Sequence, residues 1–253
     1  STKKYPLTKL SNTNSSEIAK VLENSYRAMN ISFITEWSRF AEESDINLYE
    51  VIDAIRMRPT HSNLMYPGIG VGGYCLTKDP LLASWSRSNL FNSNKHLNQS
   101  INGVKINDRM PFFAFKYMKR IFNLNKLKNI KIAFMGVSYR SNVADTRYSP
   151  VERMYKLCLN EGAIIYIHDP YVKFWDELNL DVSNDISLFL NNLINILIIS
   201  TNHDEYKNSN QFIDKLMNKE NMMILDTVGL FSENEIKILS RKHSIKVLGR
   251  GDI

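Results

Sequence analysis

One cysteine of the 253-residue chain lies where it could act as a nucleophile. Cys75 follows the glycine-rich segment 68–73, and Lys78 and Asp79 come shortly after it. A cation and the start of a helix both favour a thiolate, and a nearby carboxylate can assist proton transfer. A lone cysteine is more often a small core residue, and we expect that of Cys158, which lies within a predicted helix. The residue types around Cys75 therefore indicate covalent catalysis.

The segment 68–73 reads GIGVGG and satisfies the pattern G-x-G-x-x-G, which in dinucleotide-binding folds joins a strand to a helix. The preceding residues 59–67 hold two prolines and no apolar run, so no strand is predicted there. We therefore exclude NAD binding by this segment. We expect a flexible loop whose backbone N–H groups can surround phosphate oxygens.

Helical periodicity dominates the chain up to residue 125. Apolar side chains recur every three or four residues from Ile18 to Phe40, which predicts a long amphipathic helix capped by Asn14 or Ser15. Lys20 and Asn24 lie four positions apart and so project from one helix face, roughly opposite the first apolar residues. Further helices are predicted over 47–57, from Asp79-Pro80 onward, and over about 94–122.

After residue 125 short apolar strands alternate with helices, which predicts a parallel sheet covered on both faces. The helix after the first strand is expected to start at Ser149-Pro150 and to end at Gly162. The sequence therefore predicts an α/β protein: an all-helical domain over 1–125, followed by a Rossmann-like parallel α/β domain over 126–253. The strands are predicted over 130–135, 163–167, 193–199, 222–225 and 245–248.

Composition narrows the class of ligand. The net charge of +6 is spread along the chain without a basic stripe, so we expect an anionic small molecule such as a nucleotide and no nucleic acid. The five histidines are not spaced as metal ligands, so no metal is expected. No signal peptide or membrane segment is recognisable, and neither cysteine belongs to a C-x-x-C pair. We therefore expect a cytoplasmic location without membrane contact.

Four motifs follow one another along most of the chain. They are EIAKVLENSY at 17–26, GVGGYCLTKD at 70–79, GVSYR and DTRYSP between 136 and 150, and LGRG at 248–251. Together they resemble the UDP-glucose/GDP-mannose dehydrogenase family: its long central helix, its catalytic-cysteine loop, the opening of its C-terminal nucleotide-binding domain and its ending. One such motif would be a weak signal, but four in this order are specific.

The resemblance implies oxidation of the C6 hydroxymethyl group of a nucleotide-linked hexose to a carboxylate, with two NAD⁺. It implies that Cys75 captures the aldehyde as a thiohemiacetal and later holds a thioester, which water hydrolyses. Lys20 would stabilise the oxyanion, and Asn24 would help through a hydrogen bond or a held water. Asp79 would assist proton transfers or orient the hydrolytic water.

The resemblance also implies a binding surface for the nucleotide sugar. Arg140 stands where the family commonly has Lys and would contact the sugar diphosphate. Arg147 would bind cofactor, anchor the domain or form an ion pair. The long helix, with Phe33, Trp37 and Phe40, would build a homodimer. The other substrate-binding candidates are Tyr66, Gly70, Gly72, Gly73, Tyr74, Lys78 and Arg58. Arg58, or alternatively Arg56, would reach the ligand of a neighbouring subunit.

The N-terminal NAD domain of the family, about 150 residues, has no counterpart in the sequence. We therefore expect a fragment that lacks cofactor and turnover. The sugar stays open among UDP-glucose, UDP-N-acetylglucosamine, UDP-N-acetylmannosamine and GDP-mannose, with a UDP-sugar favoured. Two alternatives are a non-catalytic binding or dimerisation module, and a cysteine hydrolase that would need His61 as its base.

Overall fold

The structure of the chain is a computed structural model that describes residues 7–187, 193–207 and 209–253. The first six residues, which the predicted helical domain includes, lie outside this description. Long helices form the first half, and the longest of them, α1, packs against both α3 and α4. These helices are α1 (Thr13–Glu43), α2 (Leu48–Arg56), α3 (Tyr74–Asn89) and α4 (Asn98–Ile121), with a 3₁₀ turn at Pro59–His61.

Helix α1 begins earlier than the sequence indicated. Its cap is Asn12, whose side-chain oxygen accepts a 2.8 Å hydrogen bond from the Ser15 N–H. The prediction of Asn14 or Ser15 as the cap is therefore wrong. Several residues here have capping side chains, and the one that bonds to the N–H three positions later becomes the cap.

The apolar side of α1 faces outward and is not buried against the rest of the described chain. Phe33, Trp37 and Phe40 are each about half exposed. The opposite face holds small side chains that let α4 approach closely, and a Cβ added at Gly103 would lie 3.4 Å from the Met29 backbone. The buried residues of α1 are Ser25, Ala28, Ser32, Ile34, Thr35, Ser38 and Ala41.

Helix α3 starts at Tyr74, five residues before the predicted start at Asp79-Pro80, so that prediction is wrong. Gly73 occupies the cap position with a φ of +80°, which favours glycine. Pro80 lies inside the helix and is buried against its neighbours. Tertiary packing thus overrides the usual cost of an internal proline, and Cys75 falls in the first turn of the helix.

The second half is built on a parallel sheet with the strand order β2-β1-β5-β6-β7, which confirms the Rossmann-like prediction. The sequence missed a short antiparallel pair, β3 with β4. The strands are β1 (Lys131–Met135), β2 (Ile164–His168), β3 (Phe174–Trp175), β4 (Leu180–Asp181), β5 (Ile196–Ile199), β6 (Met223–Asp226) and β7 (Ser244–Val247). The helices of this half are α5 (Pro150–Asn160), α6 (Asn210–Met217) and α7 (Glu233–Leu239).

Successive residues of β1 and β5 enter two different hydrophobic cores. Ile132 and Phe134 pack into one core, together with α5, whereas Ala133 and Met135 pack into the other. Strands buried on both faces read as continuous apolar runs, which is why these elements are recognisable from sequence. The polar turns after the strands lie at the carboxyl edge of the sheet, facing the glycine-rich loop of the helical half.

Candidate functional site

The glycine-rich loop is held by hydrogen bonds from both halves of the molecule. Asn107 on α4 clamps Val71: its amide oxygen accepts from the Val71 N–H at 2.8 Å, and its nitrogen donates to the Val71 carbonyl at 2.9 Å. The Gly73 N–H donates to the Arg147 carbonyl at 2.9 Å. The segment is therefore an anchored loop, and at Val71 and Gly73 the N–H groups are already taken.

Gly72 fits a space that admits no larger residue. An added Cβ would lie 2.3 Å from the Tyr148 carbonyl oxygen and 2.8 Å from the Tyr139 Cβ. Gly72 and Gly73 are buried, whereas Gly70 lines a cavity. Gly72 and Gly73 thus have close backbone packing, and of the three predicted glycines only Gly70 lines this cavity.

A hydrogen bond joins two of the predicted catalytic residues. The Asn24 amide on α1 donates to the Asp79 carboxylate on α3 at 2.7 Å. Asp79 is only 6% exposed, and Cys75 lies one turn before it with an exposed side chain. Lys20 lies one turn before Asn24, is exposed, and has no hydrogen-bond or ion-pair partner among the described residues. A thiol, an ammonium, an amide and a carboxylate are thus carried by one pair of packed helices.

An exposed aromatic and cationic cluster borders Cys75. The rings of Tyr74 and Tyr148 meet edge to face at 5.1 Å. Lys78 and Arg147 lie over the Tyr74 ring at 5.6 and 5.5 Å. Arg147 also forms a 2.7 Å ion pair with Asp145, and that hydrogen-bonded pairing lowers the pKa of the Asp145 carboxyl. Arg147 is therefore ion-paired, which is one of the three roles that the sequence analysis considered for it.

Tyr66 is held in place by α2. Its ring stacks on Tyr49 at 5.8 Å, and Arg56 lies over it at 4.9 Å. Its hydroxyl donates to the Asp53 carboxylate, which raises the pKa of Tyr66. Arg58 is exposed and caps the 3₁₀ turn without a side-chain hydrogen bond. Arg56 is therefore held within the chain, whereas the Arg58 guanidinium has no hydrogen-bond or ion-pair partner in the part of the chain that the structure describes.

A cavity of about 230 Å³ lies between the glycine-rich loop and the carboxyl edge of the sheet. Tyr66, Gly70 and Arg140 line it together, as do the turns that follow β1 and β5. These two strands are neighbours, but the chain continues to one side of the sheet after β1 and to the other side after β5. In open α/β sheets ligands bind at such a switch point. Within the described residues, Arg140 has no ion pair.

Buried polar residues support the loop that carries Arg140. Only their position after a strand could have indicated them from the sequence. Asp169 accepts from the Val137 and Ser138 N–H groups at 2.8 and 3.2 Å and lies 3.2 Å from His203. Burial alone would raise the pKa of Asp169, but the hydrogen bonds from His203 and Val137 lower it to about 2. The charged carboxylate fixes the backbone next to Arg140.

The second cysteine does not take part in this site. Cys158 is fully buried in α5, and burial raises the pKa of its thiol to about 12, which confirms its prediction as a core residue. Among the described residues, no group of histidine, cysteine and acidic side chains could hold a metal ion. None of the described helices is both long and apolar enough to cross a membrane.

Two family matches cover most of this architecture. Residues 14–107 match the central domain of the UDP-glucose/GDP-mannose dehydrogenase family, and residues 133–233 match its UDP-binding domain. The chain belongs to the UDP-glucose/GDP-mannose dehydrogenase family. The resemblance carried by the sequence motifs is thereby confirmed, and the dehydrogenases of this family use NAD.

Named relatives of the family align with nearly the whole chain. A UDP-N-acetyl-D-mannosamine dehydrogenase of Methanocaldococcus jannaschii is 33% identical over 248 residues, which are 96% of this chain and 53% of that protein. The structure of a UDP-D-ManNAc dehydrogenase from Pyrococcus horikoshii superposes with a TM-score of 0.77 at 27% identity, covering 96% of this chain and 53% of that one. An NDP-N-acetyl-D-galactosaminuronic acid dehydrogenase from Methanosarcina mazei Go1 shares the fold, with a TM-score of 0.81 at 24% identity over 94% of this chain and 51% of that chain. The chain spans about half the length of the curated relatives that it matches.

Proposed function

We propose that this chain forms the substrate-binding and thiol-bearing part of an NAD-dependent dehydrogenase that oxidises C6 of a UDP-N-acetylhexosamine to a carboxylate. The observation that carries the proposal is the Asn24–Asp79 hydrogen bond, which ties α1 to α3 one turn from Cys75. The names of the relatives favour an N-acetylhexosamine, above all N-acetylmannosamine, over a plain UDP-hexose. The helical part, 1–125, and the sheet part, 126–253, would bind the ligand between them.

Cys75 is the proposed nucleophile. Its sulfur bonds to the C6 aldehyde carbon, and the carbonyl oxygen takes the negative charge as the thiohemiacetal forms. Lys20 stabilises this oxygen with its ammonium group, and Asn24 assists by a hydrogen bond or a held water. Asp79 orients the water that later attacks the thioester, breaks its C–S bond and returns the thiolate. The exposure of Cys75 supports this role, since the sulfur must meet a substrate.

The nucleotide diphosphate is assigned to the cavity at the carboxyl edge of the sheet. Arg140 contacts the diphosphate there with its planar, forked guanidinium. Tyr66 and Gly70 lie near the base or the diphosphate. Tyr74 and Lys78 lie on α3 close to Cys75 in sequence, while Gly72 and Gly73 give the loop its shape. Arg58 points outward towards a ligand of a neighbouring subunit.

Both oxidations require a hydride acceptor, which is NAD in this family. The G-x-G-x-x-G segment of this chain follows the 3₁₀ turn Pro59–His61, with no strand between them, and a helix follows it directly. Since a dinucleotide site needs a strand before this pattern, this segment does not fit NAD. No step is therefore assigned to the cofactor here, and Arg147 is assigned to its ion pair with Asp145.

A homodimer through α1 is part of the proposal. The exposed side of α1 carries an aromatic row in which Trp37 lies 6.1 Å from Phe33 and 5.8 Å from Phe40. Aromatic rows of this kind are enriched at the centres of protein interfaces. A second copy of the helix would cover this row.

Titration calorimetry of the chain with UDP-N-acetylmannosamine, UDP-glucose and GDP-mannose tests the proposed ligand. We expect both UDP-sugars to bind, the N-acetylated one more tightly, and Arg140→Ala to weaken both. Cys75→Ser, which keeps the size of the side chain, should bind as the original chain does. Absence of binding by all three sugars, or a preference for GDP-mannose, would contradict the proposal.

The alternative function is a non-catalytic module that binds the nucleotide sugar or forms the dimer. It predicts the same calorimetric result but places no requirement on Cys75. The proposed dehydrogenase function and this alternative are distinguished by testing whether a bound UDP-sugar covers the Cys75 thiol. The third class, a cysteine hydrolase, has no support, because the His61 ring bonds to the neighbouring Thr60 hydroxyl at 2.9 Å and nothing links it to Cys75.

A further inference from the structure

The turn after β5, residues 200–202, forms one wall of the nucleotide cavity. The Ser200 hydroxyl donates to the Gly136 carbonyl at 2.6 Å, and the Thr201 hydroxyl donates to the Ser138 carbonyl at 2.9 Å. Both hydroxyls thus hold this turn against the turn after β1. They are committed to the protein and are not free to bind a ligand as donors.

Asn202, the next residue of the same turn, differs from them. Its side-chain oxygen is buried from solvent, and it accepts no hydrogen bond from any described residue. A buried acceptor without a donor costs free energy, and native proteins almost always supply a partner. Asn202 lines the same cavity as Tyr66 and Arg140, so a ligand in that cavity is the source from which a donor would come.

We propose that Asn202 is a substrate-recognition residue whose amide oxygen accepts a hydrogen bond from an O–H or N–H group of the nucleoside in the bound nucleotide sugar. This inference rests on the function proposed above. Diphosphate oxygens are acceptors, so they cannot satisfy Asn202, whereas the Arg140 guanidinium can hold them. The uracil N3–H and the ribose hydroxyls are the donors that the nucleoside of a UDP-sugar offers. Arg140 then binds the charge, and Asn202 recognises a neutral donor.

The test compares Asn202→Ala with a matched asparagine at the other end of the sheet. The Asn195 side-chain oxygen accepts from the Lys131 N–H at 2.8 Å, so Asn195 has a structural partner. We expect Asn202→Ala to weaken UDP binding about tenfold while its melting temperature stays equal or rises, because an unsatisfied acceptor has been removed. Asn195→Ala should lower the melting temperature and leave UDP affinity unchanged.

Inorganic pyrophosphate serves as a second probe, because it offers the charge of the diphosphate without the nucleoside donors. We expect Asn202→Ala to bind pyrophosphate as the original chain does, and Arg140→Ala to bind it more weakly. Equal UDP affinity in Asn202→Ala and the original chain would overturn the inference alone. A destabilised or unfolded Asn202→Ala chain would also overturn it, since the side chain would then be structural. If the original chain binds neither UDP nor a UDP-sugar, the proposed function itself fails.

Discussion

The Asn24 amide donates a 2.7 Å hydrogen bond to the Asp79 carboxylate, joining residues 55 positions apart in the sequence. This bond connects the long helix to the first turns of the helix that carries Cys75. Because Asp79 is largely buried, its carboxylate depends on such a donor for its stability. The same bond fixes the orientation of both side chains, one helix turn from Cys75.

Asn24→Ala should destabilise the chain by about 2 kcal/mol, since the substitution leaves the buried Asp79 carboxylate without this donor. The control is Asn30→Ala on the same helix, whose amide makes only an exposed 3.3 Å bond to the Asn63 carbonyl. That variant should lie within about 0.5 kcal/mol of the original chain. Urea unfolding measures both. Equal stability of the two variants would show that the Asn24 bond contributes nothing to the fold.

The two cysteines should differ sharply towards iodoacetamide. Cys75 is exposed and should be alkylated in the folded chain, whereas Cys158 is fully buried with a pKa raised to about 12 and should react only after unfolding. Peptide mass spectrometry after timed alkylation distinguishes the two sites, so Cys158 is an internal control. Alkylation of Cys158 at the rate of Cys75 would be inconsistent with the packing of α5.

Residues that favour the ends of helices allowed α5 to be located from the sequence. Ser149 and Pro150 begin α5 and Gly162 follows its end, as the sequence predicts. The predicted start of α3 was wrong because proline usually lies in the first turn of a helix. Pro80 instead lies within the helix, where tertiary packing tolerates it. The apolar row of α1 correctly indicated a helix. The buried face of this helix is set by the small residues that meet α4, and the periodicity of large apolar residues does not reveal those small residues.

Stability should depend on pH through Glu42 on α1. Its carboxylate accepts the Gly249 N–H at 2.9 Å and links α1 to the C-terminal segment. Burial raises the pKa of Glu42 from 4.5 to about 7, although the Gly249 bond and Arg120 oppose the shift. The folded chain therefore holds a proton that the unfolded chain has lost, and the resulting stability is present below pH 4.5 and disappears as the pH rises to about 7.

Glu42→Gln keeps an acceptor for the Gly249 N–H and removes this titration. The variant should be more stable than the original chain above about pH 7, by at most about 3 kcal/mol, and similar to it below about pH 4.5. Denaturant unfolding at a series of pH values measures the difference between the two chains, which cancels the other titrating groups. A difference that stays constant with pH would refute the role of Glu42.

Trp37→Glu should convert a dimer of this chain into a monomer, because it places a charge in the middle of the exposed aromatic row of α1. Leu159→Glu is the matched control, since Leu159 is a large apolar residue on α5 with a similar exposed fraction, 49% against 47%. Sedimentation velocity measures the mass of each. A Trp37→Glu chain that sediments like the original would remove α1 as the interface.

Motifs in the sequence indicated candidate site residues but did not indicate the residues that hold them. Lys20, Asn24, Cys75 and Asp79 were found through motifs, and the structure places them on two packed helices. Asn202, for which we propose a binding role, was not indicated by the sequence because an amide in a turn has no motif of its own. Only its position in the turn after β5, at the carboxyl edge of a parallel sheet, could have drawn attention to it.

The most direct measurement is the rate of Cys75 alkylation with and without UDP-N-acetylmannosamine. A bound sugar whose C6 lies against the thiol should slow alkylation roughly tenfold at a ligand concentration of ten times Kd, and Arg140→Ala should need more ligand for the same protection. If calorimetry shows a saturated site while Cys75 reacts at its unprotected rate, the thiol does not face the sugar. That result would contradict the catalytic role of Cys75 and favour the non-catalytic binding module.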